Sequence, residues 1–344
     1  MVSGVSEPVE LEFSKLVDWA GQRALVTGAA GFVGQHLVRR LVEVGAQVYA
    51  GVALDEQPER VARLPMQVHR LTFDLRDAGA VRAAVAEAVP QVVFHLAAVG
   101  ATDPGVDPHL ALAVNAGGAL HLLEAVRKHA SEGNVVRRVV LVGTCYEYGA
   151  VSEYGAVSEC GERETVEGLD PFNAYAASKV AAWAFGRAYW REHGLPIVTV
   201  RLFQIYGPGQ PDHTLVPAAI RAALAGSDFP MTPGEQERDF IYVDDVVDGL
   251  LAVADVPEIE GHSLDLGTGQ VHALLEVVEH IWAMTGAQGQ ILPGALPYRP
   301  GDVMHLVADA DRTARLTSWR AKVELDEGLR HTISMIHSRI YGQT

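Results

Sequence analysis

Apolar residues along the chain fall into short runs that alternate with longer stretches of helical spacing. Ala24-Leu-Val-Thr27 is an apolar run of the buried-strand type, closed by a glycine-rich turn. From Phe32 to Val44 the apolar positions recur at helical spacing, and Gly45 stands where such a helix would end. Val48 to Val52 reads as the next strand, followed by candidates at Val68–Phe73, Val92–Leu96, Val139–Val142 and Ile197–Leu202. Between them, residues 78–88, 109–130 and 173–193 carry the helical pattern. This alternation demands right-handed crossovers and predicts an α/β fold, a parallel sheet covered on both faces.

After Arg201 the rhythm changes. Tyr206-Gly-Pro-Gly-Gln-Pro211 is a loop and Leu215–Ala225 a helix, while Pro and Gly recur over 230–237 and 292–302. These features predict a smaller C-terminal α/β substrate-binding domain over the carboxyl edge of the sheet, where open α/β sheets take ligands. Segments 240–256 and 263–267 are expected to return to the sheet. A tandem copy, Tyr148-Gly-Ala-Val-Ser-Glu153 and Tyr154-Gly-Ala-Val-Ser-Glu159, reads as a local loop duplication, since two copies cannot build a solenoid.

Composition narrows the classes. Hydrophobic residues are 49% and charged residues 20% of 344, an ordinary globular balance. A formal charge of −16 argues against nucleic acid as partner, because phosphate backbones require clustered Lys and Arg. Two cysteines, Cys145 and Cys160, have no metal spacing and make no disulfide framework; the expected compartment is the reducing cytoplasm. The first twenty residues lack an apolar core of signal-peptide type, and no run approaches the roughly 18 apolar residues of a membrane span. Neither a metal nor a membrane is expected.

Chemistry concentrates in two motifs. Tyr175 and Lys179, four apart on a helical segment, share one face. An ammonium beside a phenol favours the phenolate, which suits proton exchange with a carbinol or carbonyl. Gly28-Ala-Ala-Gly31-Phe32-Val33-Gly34 follows a strand and opens a helix. In that context the glycines permit a tight turn and a close pyrophosphate, with the helix N-terminus supplying N–H donors.

The Gly-x-x-Gly-x-x-Gly spacing, Tyr-x-x-x-Lys and an upstream Thr144 together resemble the extended branch of the short-chain dehydrogenase/reductase superfamily. Within it, they resemble the NAD-dependent epimerase/dehydratase family that modifies sugar nucleotides. The resemblance covers about Arg23 to Trp319 and implies a Rossmann-type doubly wound sheet. It also implies a dinucleotide-binding domain over 21–203 with about 238–268 and a substrate domain over 204–237 and 269–344, while the pattern before Arg23 reads as an extension over 1–20 whose end, Leu16-Val-Asp-Trp19, is expected to dock on the body. Asp74-Leu75-Arg-Asp77 looks like the family's acidic turn, with Asp74 on adenine. His95-Leu96-Ala97-Ala98 resembles the segment that runs past the cofactor, and Asn115-Ala-Gly-Gly118 is similar to Asn-x-x-Gly-Thr, with Gly118 where Thr is usual. The cofactor is NAD or NADP. Val52 stands where NAD-preferring members carry an acid, so the lean is to NADP, with Asp55 in reach of the ribose and Arg60 and Arg63 following.

By the same resemblance, Thr144 hydrogen-bonds the reacting oxygen, Tyr175 exchanges the proton, and Lys179 binds the nicotinamide ribose and lowers the tyrosine pKa. Dehydratases of the family show Thr-x-Glu, whereas Cys145 and Tyr146 follow Thr144 here. Glu147 comes one residue too late, and in an extended segment one step reverses the side chain. Gln204, in Arg201-Leu-Phe-Gln-Ile-Tyr-Gly-Pro-Gly-Gln210, replaces the usual Asn; Arg238, Arg299 and Asp302 lie in segments like the family's nucleotide contacts. Tyr146, Tyr148 and Tyr154 are candidates to line a sugar pocket.

The expected activity is reduction of a nucleotide-linked 4-keto sugar at C4, with an NAD-dependent 4-epimerase as the alternative. A dehydratase is disfavoured by Tyr146, and a non-catalytic dinucleotide sensor would be expected to lose Tyr175 or Lys179. Helices 109–130 and 173–193 resemble those that pair across the family's dimer, so a homodimer is expected.

Overall fold

The computed structural model describes residues 19–103, 105–149, 168–299 and 301–342. Cys160, Tyr154 and most of the tandem copy lie outside the described residues, as do residues 1–18 of the extension.

Six strands alternate with helices through the first part of the chain. They are β1 (Arg23–Thr27), β2 (Gln47–Val52), β3 (His69–Thr72), β4 (Val92–His95), β5 (Arg138–Thr144) and β6 (Ile197–Leu202). Together with Ser263–Leu266 they form one seven-stranded sheet whose neighbouring strands all pair in parallel. In space β1 lies between β2 and β4, so the chain winds outward to β3 on one side and to β4, β5, β6 and Ser263–Leu266 on the other. This is the Rossmann-like order, and the reversal beside β1 opens a crevice at the carboxyl ends of β1 and β4.

β5 and β6 are buried along their whole length, as expected of parallel strands covered on both faces. One face packs Leu37, Val38 and Leu41 of α1 (Phe32–Glu43) with Val246 and Leu250 of the helix Val243–Asp255. The other packs Val81 and Val85 with Leu122, Leu123 and Val126. Of the segment expected to dock, only Trp19 is described: it is buried, stacks on Phe94 with centroids 6.2 Å apart, and donates its indole N–H to Asp255.

Residues 108–131 correct one expectation, for they form a helix of 24 residues that is long and apolar enough to cross a membrane. Half of its apolar window is buried within the protein, where Leu122, Leu123 and Val126 belong to the core under the sheet. Those apolar positions are therefore accounted for by packing.

Beyond β6 a second apolar cluster gathers Tyr206, Val216, Ile220, Phe240, Val277, Ile281 and Leu329. It joins the helices Leu215–Ala225, Leu274–Thr285 and Leu325–Tyr341 into a layer above the crevice. Short strand pairs carry the polar residues of this part, among them Glu237–Arg238 against His272–Ala273 and His305–Leu306.

Candidate active site

Chain direction at the end of β1 depends on glycine. Gly28 has φ +70°, and a Cβ there would lie 2.7 Å from the Ala97 backbone nitrogen, so the turn and the exit of β4 touch through bare backbone. A Cβ on Gly34 would lie 2.1 Å from the Gly28 carbonyl oxygen, which seats the first turn of α1 directly on the glycine turn. Gly31 precedes α1 with no side-chain cap, leaving first-turn N–H groups for an anionic oxygen. This cradle fits a dinucleotide pyrophosphate, because its bare glycines line the cleft and the first-turn N–H groups of α1 stand uncapped there.

The turn opens into a cleft of about 1080 Å³ that runs between the sheet and the upper layer. Gly28, Gly31, Phe32, Val33, Gly34, Leu96 and Ala98 line it, and so do Thr144, Tyr175 and Lys179. Three segments distant in sequence thus supply one site. Thr144 ends β5, and Tyr175 and Lys179 sit in the first turns of the helix Ala174–His193, which Asn173 caps through Ala176 N–H.

Burial governs the electrostatics. It pushes the Tyr175 phenol up, the carboxylate of Glu147 pushes it further, and hydrogen bonding with Thr144 pulls it back. Burial lowers Lys179 to about 8, opposed by Glu147. His95 is held near 3 by burial and then by Lys179, so its imidazole is neutral; its Nδ1 lies 2.7 Å from Thr27 Oγ1.

Four expected cofactor residues stand outside the cleft lining: Asp74, Leu75, Ala97 and Asn115. Arg76 grips Asp74 with contacts of 2.6 to 3.0 Å and holds its carboxyl below the usual range. Leu75 packs over Gly118, where a Cβ would come within 2.8 Å of it. Asn115 is fully buried in a π-helical turn, Leu112–Gly117, and spends its amide on Val99 N–H, Val99 C=O and Ser178 Oγ. Ser178 donates in turn to Tyr175 C=O, so Asn115 pins the post-β4 segment to the helix Ala174–His193. The irregular turn was the signal that periodicity alone could not carry.

On the substrate side, Thr144, Cys145, Tyr146, Gln204, Arg238, Arg299 and Asp302 line the cleft, and Tyr154 lies outside the described residues. Cys145 is buried among Phe203, Val303 and Leu306, and burial raises its thiol to about 12. Tyr146 meets Phe172 edge to face at 5.4 Å, forming an aromatic wall where a dehydratase acid would stand. Tyr148 turns away to donate to Asp265, which removes it from the sugar pocket. Arg238 is buried and held by the carbonyls of Glu237 and Val303 and by Asp302 at 3.5 Å, with Gln236 on the other Asp302 oxygen. Arg60 and Arg63 also line the cleft, near Glu56, which pairs Arg60 at 3.5 Å.

The glycine cradle, the Thr-Tyr-Lys set and the shared cleft define an enzyme of the short-chain dehydrogenase/reductase type. Residues 24–267 match the model of the NAD dependent epimerase/dehydratase family, and the chain belongs to that family. A UDP-glucose 4-epimerase of Mycolicibacterium smegmatis is 32% identical over 327 residues, covering 92% of this chain and 99% of that protein. A probable dTDP-glucose 4,6-dehydratase of Sinorhizobium fredii is 30% identical over 335 residues, covering 90% and 91%. The solved Thermus thermophilus UDP-glucose 4-epimerase in complex with NAD superposes with TM-score 0.77 at 31% identity, covering 92% of this chain and 99% of that one. An NAD-dependent family and an NAD-bound neighbour lend no support to the lean toward NADP.

Proposed function

We propose that this enzyme exchanges carbinol and carbonyl at C4 of a nucleoside-diphosphate hexose and acts as a 4-epimerase. The observation that carries this reading is the convergence of Thr144, Tyr175 and Lys179 with Arg238 and Arg299 in one cleft. NAD, when bound on the glycine cradle, supplies the hydride acceptor and donor. Thr144 orients the reacting oxygen, and Tyr175, as the phenolate that the Lys179 ammonium one turn away favours, takes its proton as C4 is oxidised and returns it on reduction. Guanidinium forks suit the diphosphate. Facing the sugar, Cys145, Tyr146 and Phe172 offer an uncharged wall on which a ketone can turn and be reduced on its other side.

Ketone reduction with a consumed cofactor is the second reading, favoured by Val52 at the end of β2 and by Arg60 and Arg63 in the cleft. Incubation with UDP- and dTDP-linked hexoses separates the two. Isomers that interconvert without added cofactor support the epimerase; net NADPH loss with a 4-keto sugar replaces it with the reductase.

Arg299 is exposed at the cleft, so its removal spares the core. Arg299→Ala should raise KM for the nucleotide sugar by about tenfold or more, the worth of a charged hydrogen bond, with kcat little changed. Steady-state kinetics check this, and an unchanged KM removes Arg299 from the substrate site.

The assembly we propose is a homodimer through the helices that carry Leu110, Leu112 and Phe185, all exposed. Light scattering should give twice the chain mass, and Leu112→Glu with Phe185→Glu should give the monomer. A monomeric wild-type protein at micromolar concentration would end this proposal.

A further inference from the structure

Glu147 was expected to lie in extended backbone, but Cys145–Glu147 form a single 3₁₀ turn. The turn sends the side chain back beneath β5. Its Oε1 accepts the Thr144 N–H at 2.9 Å while Thr144 Oγ1 accepts from Tyr146 N–H, a reciprocal capping box at the strand end. Oε2 accepts from Arg201 Nε at 2.8 Å, and both side chains are almost wholly buried. Gly143 makes the space, since a Cβ there would come within 2.4 Å of Oε1. Arg201 is clamped in turn: its guanidinium lies 4.8 Å from the Tyr148 ring centroid, and Nη1 donates to Tyr148 Oη at 3.1 Å.

A buried carboxylate tied on both oxygens is costly unless paired, and the pair itself is weak evidence of stabilisation. Its neighbourhood points to the reaction centre. Its turn packs against the helix Ala174–His193, where Tyr175 and Lys179 are buried as it is, and its charge opposes the burial that discharges Lys179. The other titratable groups of this region are Arg201 on β6, Asp265 on the outermost strand, His95 on β4, and Cys145, Tyr146 and Tyr148 of its own turn. Arg238 and Asp239 act on that turn from the strand-end segment that carries them.

We propose that Glu147 is a positioning residue of this site, fixing Thr144 through its main chain and supplying the buried counter-charge to Lys179. The proposal rests on the Thr144-Tyr175-Lys179 reading of the active site and names what holds two of its members. Arg201 prevents the carboxylate from turning toward the cleft, where it would act on the substrate. This is also the structural reason that Glu147 does not replace the missing dehydratase acid.

The chain has four lysines, so lysine-selective ¹³C NMR with Lys179→Arg as assignment control reads Lys179 directly. In Glu147→Gln, which keeps the shape and removes the charge, Lys179 should titrate about one unit lower than in wild type. The alkaline limb of turnover should move down with it, and kcat should fall about tenfold or more while KM for the sugar stays within about threefold. The double variant Glu147→Val/Arg201→Met separates structure from function: it should regain thermal stability without regaining the Lys179 titration. An unchanged Lys179 titration in folded Glu147→Gln overturns the proposal. Absence of isomerisation by wild type, with the titration shifted in the variant, would instead overturn the epimerase reading and leave the role of Glu147 standing.

Discussion

Tyr175→Phe should lower turnover by about a thousandfold, the middle of the range for a positioned general acid–base group. That loss corresponds to about 4 kcal/mol of transition-state stabilisation. The ring remains, so packing at this buried position is kept, and the substitution removes only the phenol that Thr144 meets. Cofactor binding should therefore persist, and the melting temperature should hold. The measurement is single-turnover hydride transfer beside a thermal melt. Full turnover in the variant would transfer proton exchange to another group and dissolve the proposed mechanism. A melt lowered along with turnover would mean that the hydroxyl is structural.

Gly34→Ala is expected to damage both stability and cofactor binding. In an ordinary helix alanine is favoured over glycine by about 1 kcal/mol. Here the new Cβ would lie 2.1 Å from Gly28 O and 2.9 Å from Ala29 O, both main-chain atoms that cannot rotate aside. Overpacking of this kind costs about 3 kcal/mol, which lowers the melting temperature by roughly 4 °C in a chain of this size. Relieving it must push α1 off the turn, so dinucleotide affinity should fall with stability. Gly168→Ala, at an exposed position where an added Cβ meets nothing within 4 Å, is the matched control. Calorimetric titration with NAD checks the pair; equal affinities in both variants would contradict the packing account of the glycine turn.

Short apolar runs placed β6 to the residue and β1 to β5 within two residues, because buried parallel strands leave continuous apolar signals. Gly28, Gly31 and Gly34 were legible for a related reason: a position with no room for Cβ admits a single residue type. The Thr-Tyr-Lys set was legible through its spacing and the family pattern around it. Asn115 was not, because its bonds to Val99 and Ser178 join segments 16 and 63 residues away. Glu147 was misread because a three-residue 3₁₀ turn leaves no periodic trace, and the turn, not strand alternation, sets its direction.

The sequence by itself determined the parallel sheet, the glycine turn and the residue types of a hydride-transfer site, since these depend on local spacing and on side chains that only one environment tolerates. Tertiary structure alone decided the electrostatics. Whether Lys179 lowers Tyr175 or is itself discharged depends on how deeply both are buried and on which charge shares that burial. Here the charge is Glu147, brought beneath them by one tight turn and fixed by Arg201 from the neighbouring strand. Desolvation and Coulomb energy act through space, so the spacing of Tyr175 and Lys179 along the chain could name the pair but not its protonation.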